Sequence, residues 1–290
     1  MFGDTRMSTK DLKYGSATLD DFIYWMNERH NIYVNRFKKK LSKPWTGDQI
    51  LQTYAFTNVF RQLDKGTITL TKMLKDQTDL GLILFNIFWY RTFNRFEHGD
   101  KLGFVDDYKI LDEYINMLFN TRQKIFTGAH YVYFPSYEEA HTAHLKRIKE
   151  IWDKRDTFAN ELLQLASIEK VRDRFLQVYA VGPFVAYEFT CDCRFTKILE
   201  DAPDKLTWAS MGPGSQRGLY RLGRQCNNQY MSCYSMVELY HECLPLLSVE
   251  IQNEIWPFEL REIEHSLCEF DKYQRVLKGE GRPRKKFNGI

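Results

Sequence analysis

Proline and glycine are scarce in this 290-residue chain, at 8 and 16 residues, so it lacks the punctuation of a β-sandwich and favours long helices. Charge of one sign is also lacking. Lys plus Arg number 41 against 38 Asp plus Glu, a formal net charge of +3, and no whole-protein basic field marks a nucleic-acid binder. No apolar run approaches the ~20 residues that span a bilayer, the most apolar stretch being residues 80–90. The first residues are polar and hold no signal-peptide core. The 6 Cys fall in no spacing that suggests secreted disulfides, and the chain reads as soluble and intracellular with reduced thiols. What is abundant is aromatic, at 15%, enough to fill a sizeable core.

Helix starts recur along the chain. Thr18 precedes an apolar face of Phe22, Ile23 and Met26 that runs toward Lys38, Lys39 and Lys40. Thr46 with Gln49, and Ser136 with Glu139, have the spacing of capping boxes. Residues 79–93 are apolar nearly all round, as a central buried helix requires. Asp106 opens a further amphipathic pattern, and others cover residues 158–165 and 167–178. Alternation is confined to Tyr131–Phe134, too brief for a sheet. The expectation is an all-α protein, residues 1–277 forming one helical domain, in one or two lobes, ahead of a basic tail at 278–290.

Residues 178–186 hold the most informative local pattern. A helix meets a tight turn at Gly182, Pro183 begins a second helix, and Ala186 gives close packing one turn on. This resembles the helix-hairpin-helix of DNA-repair glycosylases, whose turn amides grip a phosphate, although Ala180 stands where the first turn glycine is usual. On that reading Gly182 and Phe184 contact DNA. Phe184 and Val185 occupy the place of a Schiff-base lysine, which excludes lyase chemistry, and the cysteine spacing excludes an iron–sulfur cluster.

Asp192, ten residues beyond Gly182, is the candidate catalytic carboxylate, and Asp204 is the fallback. Either could instead cap or end a helix. Residues 211–219 read as a Gly-rich loop in which Gly212 and Gly214 let backbone approach an anion and Arg217 pairs with it. The Lys and Ser/Thr of a Walker A motif are missing, and no other segment supplies one, so autonomous P-loop kinase chemistry is excluded. Glu138, His141 and His144 share helical spacing, but a single such cluster reads as a solvated face and no metal or cofactor is assigned. In the tail, Arg282, Arg284, Lys285 and Lys286 lie among Gly279, Gly281 and Pro283, as in a flexible arm that neutralises DNA phosphates.

These pieces fall in order. Pro44-Trp45-Thr46, Phe56-Thr57-Asn58-Val59-Phe60-Arg61, Tyr90-Arg91-Thr92-Phe93-Asn94, Thr190-Cys191-Asp192, Gly212-Pro213-Gly214 with Arg217, and Glu264-His265 through Glu269 and Lys272 to Arg284 together resemble one family. It is that of the α-glutamyl/putrescinyl-thymine pyrophosphorylases, the phage amino acid:DNA transferases, and the likeness spans roughly residues 44–287. The resemblance implies a helical, glycosylase-like fold that extrudes a base. It implies a transferase that replaces the pyrophosphate of pyrophosphorylated 5-hydroxymethyluracil in double-stranded phage DNA with an amino acid or polyamine. A 5-hydroxymethyluracil DNA kinase would supply that substrate, in the cytoplasm of the infected host. Asn58, Arg61, Arg91, Arg217, Glu269 and Lys272 become substrate-binding candidates. Two other readings stay open: a monofunctional glycosylase on a modified pyrimidine, and a noncatalytic DNA-binding module of a 5-hydroxymethyluracil DNA kinase system.

Overall fold

A computed structural model describes residues 16–127, 136–283 and 285–287. Tyr131–Phe134 and Arg284 lie outside them. The described residues are helical and contain no strand; a single antiparallel bridge joins Tyr54 to Lys286. The fold is all-α. The chain divides into two compact units, one of residues 1–61 with 205–290 and the other of residues 62–204.

The first unit begins with α1 (Leu19–Tyr33) and α2 (Gln49–Thr53). The second holds α3 (Lys65–Leu74), α4 (Leu80–Phe93), α5 (Phe96–Leu102) and α6 (Tyr108–Asn120), then α7 (Tyr137–Leu165), α8 (Ile168–Phe175) and α9 (Pro183–Cys193). The chain then completes the first unit with α10 (Pro213–Arg221), α11 (Gln229–Cys243), α12 (Val249–Gln252) and α13 (Leu260–Leu277).

Local chemistry sets most of these boundaries. Thr18 and Asp21 form a reciprocal capping box on α1. Asp79 accepts from the Leu82 amide to start α4, and Ser136 accepts from the Glu139 amide to start α7. Two starts differ from expectation. Asp48, not Thr46, caps α2 by accepting from the Ile50 and Leu51 amides, while Thr46 hydrogen-bonds Glu28. Asp107 rather than Asp106 caps α6. The helix that Ser136 starts and the pattern covering 158–165 are one continuous helix, α7, with no breaker between them.

In the second unit α4 is the buried centre, packed against α7 and α9. Phe88 stacks on Phe189 with ring centroids 4.4 Å apart, and Phe85 meets Trp152 edge-on. In the first unit α10 lies along α13 at close range. A Cβ on Gly214 would sit 2.3 Å from the Cys268 sulfur, and one on Gly218 2.5 Å from the Leu267 carbonyl oxygen. Glycine at 214 therefore lets two helices touch. The segment expected as an anion-cradling loop is the start of α10, with Pro213 at its first turn and Gly212 as its cap.

Candidate functional site

The second unit carries a buried charge pair. Arg91 near the end of α4 donates through Nε and Nη2 to the two oxygens of Asp192 on α9, both at 2.6 Å. Arg91 is 3% exposed and Asp192 2%, so this bidentate bond sits almost outside solvent. Glu188, one turn before Asp192, approaches Arg91 at 3.8 Å, and Arg91 Nη1 donates to Asn94. Asn94 ends α4 in the left-handed conformation, which turns its amide back toward the guanidinium. Both oxygens of Asp192 accept from Arg91, so the guanidinium fixes the orientation of the carboxylate.

The α8–α9 turn pairs a left-handed residue with an extended glycine. Ala180 takes φ +56°, the conformation glycine adopts without strain, and Gly182 caps α9 in extended backbone. The Ala180 carbonyl accepts from Arg147 Nη1 at 2.8 Å, and Arg147 Nη2 donates to Thr92. Arg147 is fully buried, and burial pulls its pKa down to about 9, which leaves it charged at neutral pH. Sequence reasoning misses Arg147, since one arginine on a long helix carries no distinguishing signal. Gly182 faces open space and Phe184 is 55% exposed, so this end of the turn is accessible.

Asp204 is engaged differently. It accepts from the Ser167 hydroxyl at 2.7 Å and from the Ile168 and Glu169 amides at 2.9 and 3.1 Å, satisfying the first turn of α8. His141 and His144 correct the expected solvated face. His141 stacks on Phe119, His144 packs against Phe93 and Phe126, and burial lowers both pKa values, that of His144 to about 2.

In the first unit, two stripes of α13 divide the remaining candidates. His265, Glu269 and Lys272 follow one helical face toward residues 55–61. The Thr57 hydroxyl lies 2.6 Å from His265 Nε2, the Thr57 amide donates to Glu269, and Arg61 Nη1 lies 3.2 Å from the same imidazole nitrogen. Lys272 closes the group, paired with Glu269 at 2.6 Å and donating to the Ala55 carbonyl. Asn58 is buried in the same segment. The stripe of Glu264, Cys268 and Asp271 faces α10 instead. There Asp271 accepts from Arg217 Nε at 2.8 Å and Arg221 Nε at 2.9 Å, and Arg221 continues to Glu280. Arg61, Glu269 and Lys272 are thus gathered, whereas Arg217 belongs to a separate carboxylate-centred network. Asp271 and Arg221 escape sequence reasoning, since the contact is across two helices 50 residues apart. In the sequence His265 stands within the Glu264-His265 block that carries the family resemblance, with no role of its own assigned to it.

Residues 285–287 of the basic tail are docked. The Ala55 amide donates to the Lys285 carbonyl and the Phe287 amide to the Thr53 carbonyl, which with the Tyr54–Lys286 bridge lays residues 285–287 along residues 53–55. Its glycines end α13, as expected, yet the segment beyond is held rather than loose. None of the six cysteines is in a disulfide. Among the described residues no group of His, Cys, Asp and Glu is arranged to hold a metal ion, and no helix is long and apolar enough to cross a membrane.

With this geometry in place, comparison with known proteins is decisive at the family level. A family described as "5-hmdU DNA kinase, helical domain" matches residues 16–282. The chain belongs to that family. It is 29% identical to a 5-hmdU DNA kinase of Bacillus phage SP10, over 96% of this chain and 50% of the relative. The chain therefore spans about half the length of that curated relative. No solved structure matches. A phage base-modification family is what the sequence resemblance implies, and it holds at that coarser level. The matching family is nevertheless that of the kinase helical domains, not the pyrophosphorylases.

Proposed function

We propose that this chain is a DNA-handling helical module in the phosphorylation of 5-hydroxymethyl-deoxyuridine in phage DNA. It engages duplex DNA carrying the modified base and turns the hydroxymethyl group toward a nucleotide-binding partner that performs the phosphoryl transfer. The observation that carries this reading is the family match over residues 16–282 in a segment without a Walker A motif. A base hydroxyl inside a stacked duplex cannot align with a triphosphate, so a module that grips DNA and extrudes the nucleotide answers a real geometric need. Each unit has its own proposed DNA contacts, the accessible turn around Gly182 and Phe184 in the second and the exposed Arg282, Lys285 and Lys286 in the first.

The amine-transferase reading stands second, favoured by the polar cluster of Thr57, Arg61, His265, Glu269 and Lys272. In it, Arg61 of the first unit binds pyrophosphate, and Asn58, Glu269 and Lys272 beside it contact substrate. It ranks lower because the charges of Arg91 and Arg217 are already offset by Asp192 and Asp271.

Nucleoside mass spectrometry after incubation separates the readings. The chain alone should leave both 5-hydroxymethyl-deoxyuridine duplex and its pyrophosphorylated form, given pooled amines, unchanged. An amine adduct would establish the transferase, and an abasic site would establish a glycosylase.

A further inference from the structure

The two basic runs of the sequence, residues 36–43 and 282–286, belong to the same unit, where their described residues are brought together by Trp45 and Phe287. Trp45 joins them. Its indole nitrogen donates to the Leu41 carbonyl at 2.7 Å and its carbonyl accepts from Asn35, which ties the loop after α1 to that helix's end. Its ring then meets Phe287 of the tail edge-on, with centroids 6.1 Å apart. Cations rest on these aromatics. The Arg36 guanidinium lies 4.4 Å over Phe37 and 5.0 Å over Trp45, Lys43 Nζ lies 5.2 Å over Trp45, and Lys286 Nζ lies 4.1 Å over Tyr54. Arg282 lines a cavity of about 440 Å³ whose wall includes Tyr54.

The charge here is uncompensated. Lys38 pairs with Glu254, but Arg36, Lys39, Lys40, Lys43, Arg282, Lys285 and Lys286 have no carboxylate partner among the described residues. In a protein whose formal charge is only +3, such a concentration on one surface is a local field. Most surface lysines lose rotamer freedom when they bind an anion. Cations already seated on aromatic rings lose less, so the aromatics preorganise the row.

We infer that this aromatic-backed ridge, built jointly from residues 36–45 with Arg282 and residues 285–287, is a docking surface for the phosphate backbone of DNA. The inference rests on the proposed DNA-handling role but assigns a surface that the hairpin turn does not include. It reads phosphates, not bases, so it binds thymine and 5-hydroxymethyluracil duplexes alike.

The test is the salt dependence of duplex binding, for both duplexes, in the full chain and its variants. The triple variant Lys39→Gln, Lys40→Gln, Lys43→Gln should weaken binding at least tenfold near 100 mM salt. It should lower the log–log slope by up to ~2.7, at ~0.9 per phosphate contact. The double variant Lys285→Gln, Lys286→Gln should lower it by up to ~1.8. Trp45→Leu changes no charge and should still weaken binding several-fold, which bare charge counting does not predict. Circular dichroism checks that each variant folds. An unchanged affinity and slope in the folded triple variant would overturn the inference, as would binding to anionic phosphatidylserine vesicles without binding to duplex. Ridge-dependent binding that ignores the modified base would leave this inference standing and remove the functional reading. Base-selective binding that ignores the ridge would do the reverse.

Discussion

Asp192→Asn is the substitution at which structure and chemistry make the most exacting demand. The replacement is nearly isosteric, so by shape alone it should be silent. Arg91 argues otherwise. Its guanidinium is 3% exposed and spends two donors on the carboxylate, so asparagine leaves a buried cation with one acceptor lost and an amide N–H pointing at a donor. Breaking a buried pair from one side costs about 3–5 kcal/mol. Glu188 at 3.8 Å retains one negative charge beside Arg91, which places the expected loss near the lower end, about 3 kcal/mol. Urea unfolding, with hydrogen exchange of the α9 amides as a probe of the second unit, measures it. The double replacement Arg91→Met, Asp192→Leu removes both charges and should recover most of the loss, since a packed apolar pair dispenses with desolvation. A loss below about 1 kcal/mol in Asp192→Asn, or a double variant no better than the single, would refute this account of the pair. Any loss of activity in Asp192→Asn must therefore be read against its folded fraction.

Ala180→Gly should stabilise the protein by about 0.5–1 kcal/mol, because alanine at φ +56° carries left-handed strain that exceeds glycine's entropic cost; a lower urea midpoint would count against it. Gly214→Ala should destabilise by about 1–3 kcal/mol through overpacking against Cys268, whereas Gly182→Ala, facing open space at a negative φ, should stay within about 0.5 kcal/mol. Equal effects at the two glycines would contradict the helix contact. Burial depresses His144 to about 2 and His30 to about 4, below an unfolded value near 6.5. Depressed folded values mean that the unfolded chain takes up the protons first. Stability is thus complete above pH 6.5 and falls by about 2 kcal/mol per histidine by pH 5. His144→Phe should flatten that slope, and an unchanged pH profile would show that the ring is not held neutral.

What was legible in the sequence was whatever is encoded locally. Thr18, Asp79 and Ser136 announce helix starts because a side-chain oxygen reaches an amide two or three residues on. The all-apolar run of α4 declares burial by having no polar face. The turn before α9 was readable because Gly182-Pro183 restricts backbone directly. Long-range pairing was not legible. Nothing in Arg217 says that it meets Asp271 on another helix, and nothing in Gly214 distinguishes an anion cradle from a helix contact until Cys268 is in place. The tail misled for the same reason. Its glycines forbid a helix, but its hydrogen bonds to residues 53–55 depend on a partner 230 residues away.

The central claim, recognition of a 5-hydroxymethyluracil duplex by a helical module that leaves the base chemically unchanged, is tested most directly by competition binding. Labelled duplex containing 5-hydroxymethyl-deoxyuridine is held by the chain and challenged with unlabelled duplexes of the same sequence, modified or carrying thymine. The account predicts that the modified competitor displaces the label at a concentration at least ~10-fold lower, the discrimination available from one well-placed hydrogen bond to the hydroxymethyl group. Equal displacement by the two competitors would contradict it.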